Sequence, residues 1–214
     1  MVTRDAWIRS QCSGKILDIG AADGWVFKGN GLNVTSLDIN EFAPSEFPRI
    51  VSDAHNLPLD DGSFDCCVLA EILEHVNNPI LVLKEAARVA KKKVIFTVPD
   101  EGSWTPDHLP FRTLDDIERE EHLTPEQLYK RSNPSSIKVN DPKQTFHNRW
   151  YTKELLESHL GYLGLPYQIQ TIAYDGWSWF CGVVLKNQAQ MPEVASIKYK
   201  TKIQPPLHLV SSSG

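Results

Sequence analysis

The run Lys15-Ile-Leu-Asp-Ile-Gly-Ala-Ala-Asp-Gly24 and the segment Thr35-Ser-Leu-Asp38 hold the residue types best suited to seating a ligand. A short apolar stretch ending in closely spaced glycines is the pattern of a buried strand running into a tight turn. Gly20 and Gly24 would let the backbone approach a bound group more closely than a residue with a Cβ allows. Asp38 falls 14 residues after Gly24, at the end of the next apolar stretch. A carboxylate there can accept hydrogen bonds from both hydroxyls of a ribose. Each half alone also fits an ordinary turn and a capping Asp, so the weight rests on the combination.

Spacing separates the competing chemistries. A G-x-G-x-x-G dinucleotide fingerprint starting at Gly20 would need glycine where the chain has Ala22 and Trp25. The P-loop pattern is absent as well, which argues against a phosphate cradle. Cys12, Cys66, Cys67 and Cys181 form no C-x-x-C pair, and no Cys/His cluster has zinc spacing, so no metal site is expected.

Such a turn needs the edge of a sheet to stand on. Strand candidates run over Lys15 to Ile19, Asn33 to Asp38, Arg49 to Asp53, Phe64 to Ala70 and Lys93 to Val98. Continuous apolar strands separated by helical patterns predict a parallel sheet covered on both faces. The best-marked helix runs from Pro79 to about Lys91, with Asn78 as its cap and Lys91 to Lys93 beside its negative end. Residues 101–146 break this rhythm and read as a substrate cap, with the capping box Thr124-Pro125-Glu126-Gln127 starting one helix inside it. Regular structure returns at Thr152 with a helix whose apolar face is Leu156, Leu160 and Leu163. Tyr167 to Tyr174 and Trp179 to Leu185 then form two strands joined at Asp175-Gly176. The fold class expected is α/β: a Rossmann-like doubly wound sheet, mostly parallel, with an antiparallel C-terminal hairpin strand and a cap insertion. The main domain spans residues 1–186, and 187–214 form a tail whose Ile197, Tyr199, Thr201 and Ile203 alternate with lysines.

In these residues the chain resembles the class I S-adenosylmethionine-dependent methyltransferases, in particular the ubiquinone-biosynthesis-like small-molecule subgroup. The family's D-x-G-x-G-x-G appears as Asp18-Ile-Gly20-Ala-Ala22-Asp-Gly24. Ser52 to Asp65 resembles the family's approach to the fourth strand, and Ala70-Glu-Ile-Leu-Glu-His-Val-Asn-Asn-Pro79 the stretch that follows it. His147-Asn-Arg-Trp-Tyr-Thr-Lys-Glu-Leu-Leu156 resembles the lead-in to the last helix. Together the blocks cover about residues 14–100 and 147–186, in the family's order.

The resemblance implies S-adenosylmethionine as cofactor and assigns positions to it. Asp18, Gly20, Ala21, Ala22 and Gly24 would line its methionine part, Asp38 would hold the ribose hydroxyls, and Ile39 would lie against the adenine. Asp53 and Ala54 would meet the adenine edge; Ala70 and Glu71 would face the amino group and the acceptor mouth. Ala22 stands where the family has glycine, which a negative φ at that residue would accommodate. Methyl transfer is an in-line displacement in which the protein aligns the reactants and excludes water. For a hydroxyl nucleophile a base is needed, and His75 and then His147 are the candidates. Both also fit packing roles at the start of a helix. The reaction expected is methylation of a small polar acceptor, most plausibly at oxygen. An RNA or protein methyltransferase and a non-catalytic S-adenosylmethionine-binding protein remain open alternatives.

Composition bounds the partners. With 22 Lys plus Arg against 27 Asp plus Glu the formal charge is −5, which argues against sequence-independent nucleic-acid binding. Hydrophobic residues at 41% and charged residues at 23% are those of a globular domain. No apolar run reaches the length of a membrane span and the first 14 residues lack an apolar signal core, so a cytoplasmic protein with reduced thiols is expected. Oligomeric state is open, a homodimer included. His108, His122 and the acids of 115–121 read as a solvated face; Trp104, Trp150, Trp177 and Trp179 fit the wall of a substrate pocket, but as single residues large aromatics are more often core or rim.

Overall fold

The computed structural model describes residues 2–41, 45–100, 151–174 and 176–186. Its strands are β1 (Ile16–Ile19), β2 (Val34–Asp38), β3 (Arg49–Val51), β4 (Phe64–Ala70), β5 (Ala90–Pro99), β6 (Tyr167–Tyr174) and β7 (Trp177–Leu185). They form one sheet of order β3-β2-β1-β4-β5-β7-β6. β1 to β5 pair in parallel, and β7 lies antiparallel to both β5 and β6. The expected α/β sheet with its antiparallel C-terminal hairpin is therefore present. The expected substrate cap and its capping box, His147, and the 187–214 tail lie outside the described residues, as does Asp175 of the hairpin turn.

Alternation along the central strands sorts their side chains between two faces. Leu17, Ile19, Cys67, Leu69, Val94 and Phe96 pack on one side beneath the helices α2 (Pro79–Val89) and α3 (Lys153–Gly161). Ile16, Cys66, Val68 and Ile95 pack on the other with Ile8 of an N-terminal helix, α1 (Arg4–Gln11). Each helix starts on a side-chain cap. Thr3 accepts from the Ala6 N–H, Asn78 from that of Leu81 and Thr152 from that of Leu155.

Three features depart from the sequence reading. Helix α1 was not anticipated, because it is short and only one of its apolar side chains, Ile8, is fully buried. The lysine run does not sit at the end of α2. That helix stops at Val89, and Ala90 at once pairs with Phe64, so Lys91, Lys92 and Lys93 belong to β5. Finally, helices do not separate all the parallel strands. Among the described residues only the β4–β5 crossover carries one, while β1 reaches β2 through turns at 20–33. Val26 and Phe27 in those turns are buried against the second face, where a crossover helix would otherwise have packed.

The β5-β7-β6 half of the sheet closes around a residue with no side chain. A Cβ on Gly182 would overlap the Phe96 ring and stand 2.7 Å from the Gln168 carbonyl oxygen. Gly182→Ala is expected to lose about 1–3 kcal/mol through overpacking. Urea unfolding measures this; an unmoved midpoint would mean that the three strands yield at this point.

Candidate functional site

The carboxyl ends of β1 to β4 gather most of the residues singled out in the sequence. After Ile19 the chain turns sharply at Gly20, whose φ is +74°. The N–H groups of Gly20 and Ala21 both donate to the Leu37 carbonyl, at 2.8 and 3.1 Å, which stitches the turn to β2. A Cβ on Gly20 would overlap Ile72, so close packing as well as the backbone angle requires glycine there. Ala22 corrects an expectation. Its φ is +46°, not negative, so its methyl is carried in the left-handed region at a cost of about 1–2 kcal/mol. The residue is gripped at both ends: its N–H donates to Asp38 Oδ2 at 3.0 Å, and its carbonyl accepts from Arg49 Nη2 at 2.6 Å.

Asp38 is a clamp as well as a candidate ligand. Its other oxygen, Oδ1, accepts from the Asn40 N–H at 3.0 Å. Each carboxylate oxygen keeps a second lone pair. Asp18 lies buried close by, and its Oδ2 has no hydrogen-bond partner among the described residues. Burial first, and then the charge of Asp38, push the Asp18 carboxyl up to about 7, against the pull of Arg49. Ile39, just beyond β2, is 59% exposed and presents an apolar surface at this edge.

Past β3, Asp53 Oδ1 accepts from the His55 backbone N–H at 2.9 Å and contacts His55 Nδ1 at 2.6 Å. His55 Nε2 accepts from the Asn78 N–H at 3.2 Å, which assigns the ring proton to Nδ1. Partial burial works against the Asp53 charge, but the two bonds from His55 outweigh it and hold the carboxylate below its ordinary range. Ala54 is buried in the core beneath this pair. His55 was not singled out in the sequence, although the spacing Asp53-Ala-His55 is a signal that could have marked it.

At the end of β4, Ala70 is half-buried and Glu71 adopts φ +57°. Glu71 Oε1 accepts from Thr97 Oγ1 at 3.1 Å and Oε2 from Trp179 Nε1 at 3.0 Å, while Arg4 Nη1 pairs with Oε2 at 3.0 Å. His75 follows five residues after Ala70, with its side chain 36% exposed and Nε2 3.9 Å from Oε1 of the buried Glu74. The fold thus brings Asp18, the Gly20–Gly24 turn, Asp38, Asp53, Glu71 and His75 to one sheet edge. A separate cavity of about 560 Å³, lined by Lys84, Arg88, Lys91 and Lys186 among others, opens at the opposite edge.

Residues 17–98 match a family model for a methyltransferase domain. Over 60 residues, 27% of its length, the chain is 40% identical to an uncharacterized 37.1 kDa protein of transposon TN4556 from Streptomyces fradiae, and the match spans 17% of that protein. Among solved structures, it superposes on a SAM-dependent methyltransferase from Archaeoglobus fulgidus with TM-score 0.54 and 16% identity, covering 85% of this chain and 92% of that one. For one from Aquifex aeolicus the values are 0.52, 15%, 86% and 90%. For one from Thermotoga maritima they are 0.52, 18%, 84% and 86%. At these identities the agreement is one of fold.

The raised Asp18 pKa has a definite sign in stability. Folding lifts it from 3.8 to about 7, so the folded protein holds this proton more tightly than the unfolded chain. The ionised carboxylate therefore weakens the fold above pH 7, and the penalty fades as pH falls toward 4. Asp18→Asn, which stays neutral, is expected to unfold at a higher temperature than the parent at pH 8 and at a more similar one at pH 5. Thermal unfolding of both proteins at the two pH values checks this. A gap independent of pH would contradict the desolvated carboxyl.

Proposed function

We propose that this chain, a class I S-adenosylmethionine-dependent methyltransferase, methylates a small polar acceptor at a hydroxyl oxygen. The observation that carries the reading is the position of the Gly20–Gly24 turn and Asp38. In this sheet the strand order reverses between β1 and β4, and in open α/β sheets ligands bind outside the carboxyl ends at such a reversal. The residues there suit the cofactor. Asp18 offers a buried carboxyl oxygen without a hydrogen-bond partner among the described residues, beneath a glycine turn with no room for a side chain at Gly20.

In this reading Asp18 and the turn through Gly20, Ala21, Ala22 and Gly24 receive the methionine part, and Asp38 takes the ribose hydroxyls on its remaining lone pairs. Ile39 packs on the adenine, Asp53 and Ala54 border its edge, and Ala70 with Glu71 borders the amino group and the acceptor mouth. The bound cofactor supplies an electrophilic methyl group and a neutral sulfide leaving group. What the chain itself must do is align the acceptor, keep water out and remove a proton. His75 is placed in the proton-accepting role, since imidazole is half-ionised near neutral pH. His147 is the second candidate. Residues 101–146, which lie outside the described residues, keep the role of substrate cap in this reading.

The acceptor class rests on charge. A chain of net charge −5 disfavours a polyanionic acceptor, so a small molecule is preferred to RNA. No helix among the described residues is long and apolar enough to cross a membrane. Cys12, Cys66, Cys67 and Cys181 are all free thiols. Both fit a reaction carried out in the cytoplasm.

Calorimetric titration with S-adenosylmethionine and S-adenosylhomocysteine, with NAD as control, tests the reading. Binding of the sulfur ligands but not NAD is the expected result; no heat with either at millimolar concentration would overturn it. Asp38→Ala is expected to weaken S-adenosylmethionine by about 1.5–3 kcal/mol for each charge-assisted hydrogen bond removed. An unchanged affinity would remove Asp38 from the ribose. His75→Ala is expected to lower turnover of the acceptor by about a hundredfold or more while leaving cofactor affinity nearly intact. Full activity in that variant would make His75 a packing residue.

A further inference from the structure

Glu71 is surrounded by the groups that recognise an organic cation. Thr97 Oγ1 and Trp179 Nε1 donate to its two oxygens at 3.1 and 3.0 Å, and these neutral donors fix the carboxylate without cancelling its charge. In front of it sits the Arg4 guanidinium, with Nη1 3.0 Å from Oε2. Arg4 Cζ lies 4.9 Å from the Trp25 ring centroid and 5.1 Å from that of Trp179. A cation against two indole faces with a carboxylate at its flank is the arrangement that binds alkylammonium groups.

Arg4 is an occupant that can leave. Helix α1 is held to the sheet by other means, since Ile8 is fully buried and Arg9 Nη1 donates to the Val26 carbonyl at 2.8 Å. Asp5 Oδ1, 3.1 Å from both Nε and Nη2 of Arg4, offers the guanidinium a partner on its own helix. The cage also has a wall open to solvent, because Trp25 is 46% exposed. Its place is telling. Trp25 directly follows the Gly20–Gly24 turn and Glu71 directly follows β4, so the cage flanks the strand-order reversal on the side of the expected acceptor mouth.

We propose that Glu71, Trp25 and Trp179 form a cation subsite for the acceptor, taking its alkylammonium or quaternary ammonium group in the place that Arg4 fills in the free protein. The assignment of this ligand as the acceptor rests on the methyltransferase reading; the cage itself does not. Arg4 then acts as an internal competitor. It stays against the two indoles until a ligand of the same charge and better contact with them displaces it.

Tetramethylammonium chloride, titrated calorimetrically against a sodium chloride control of equal ionic strength, is the probe. It is added to the full chain with and without S-adenosylhomocysteine, for the parent and for Arg4→Ala. Arg4→Ala is expected to bind the probe about tenfold more tightly, the gain for a site filled by Arg4 in about nine molecules of ten. Adding Trp179→Leu to that variant should abolish the gain. Arg4→Gln, which keeps much of the stem that packs against the indoles, replaces Arg4→Ala if near-ultraviolet circular dichroism shows the latter to be misfolded. Equal binding by parent and variant, or a gain that survives Trp179→Leu, would overturn the subsite. Loss of S-adenosylhomocysteine binding by the parent would instead strike the methyltransferase reading, and the titration without it would still judge the cage.

Discussion

The carboxylate of Asp38 is the fixture on which the carboxyl edge of this sheet depends. One oxygen holds the Ala22 N–H and the other the Asn40 N–H, so one side chain at the end of β2 shapes the exits of both β1 and β2. The Leu37 carbonyl beside it receives two more amides from the β1 turn. This grip explains how Ala22 can remain at a positive φ. The strain is local and modest, while the clamp and the Arg49 bond to the Ala22 carbonyl restrain both sides of it. It also contributes to the character of Asp18. Burial of Asp18 is the larger cause of its raised pKa, the neighbouring Asp38 carboxylate adds to it, and Arg49 offsets only part.

Around that fixture the sheet is covered unevenly. One face is closed by α2 and α3, both capped and both rich in aliphatic side chains. The other is closed by α1 and by the turn segment that carries Val26 and Phe27, with far fewer apolar groups. The β1–β2 connection is built of turns rather than a crossover helix, and α1 takes over part of the covering. In doing so it places Arg4 against Glu71 at the end of β4. Ile8 and Arg9 hold this helix in place, so Arg4 belongs at once to the cover of the thinner face and to the carboxyl edge without being the residue that fixes the helix.

Much of the frame was legible in the chain. The Phe64–Ala70 strand was legible over its full extent, because six of its seven residues, all but Asp65, are of β-forming or small apolar type. The start of α2 at Asn78-Pro79 was legible because an Asn cap followed by proline states its own geometry. The turn from Asp18 to Gly24 and the position of Asp38 were legible because spacing along strands translates directly into position at a sheet edge. Less legible were α1, which is short and mostly polar, and the end of α2. In the latter case local charge favoured a longer helix, but pairing of Ala90 with Phe64 captured the chain for β5.

What the sequence by itself determined is therefore the set of strands, their continuous apolar character and the residues offered at the carboxyl edge. These follow from side-chain chemistry and short-range spacing, which are properties of neighbouring residues. Only the tertiary structure decided that Ala22 is left-handed, that Asp18 is desolvated beside Asp38, and that His55 bridges Asp53 to Asn78. It alone decided that Arg4 meets a carboxylate 67 residues away between two indoles. Each of these depends on the field and packing of groups distant in the chain. A pKa, a backbone angle under load or a cation cage is set by what surrounds a residue in space, and the order of the chain does not specify that.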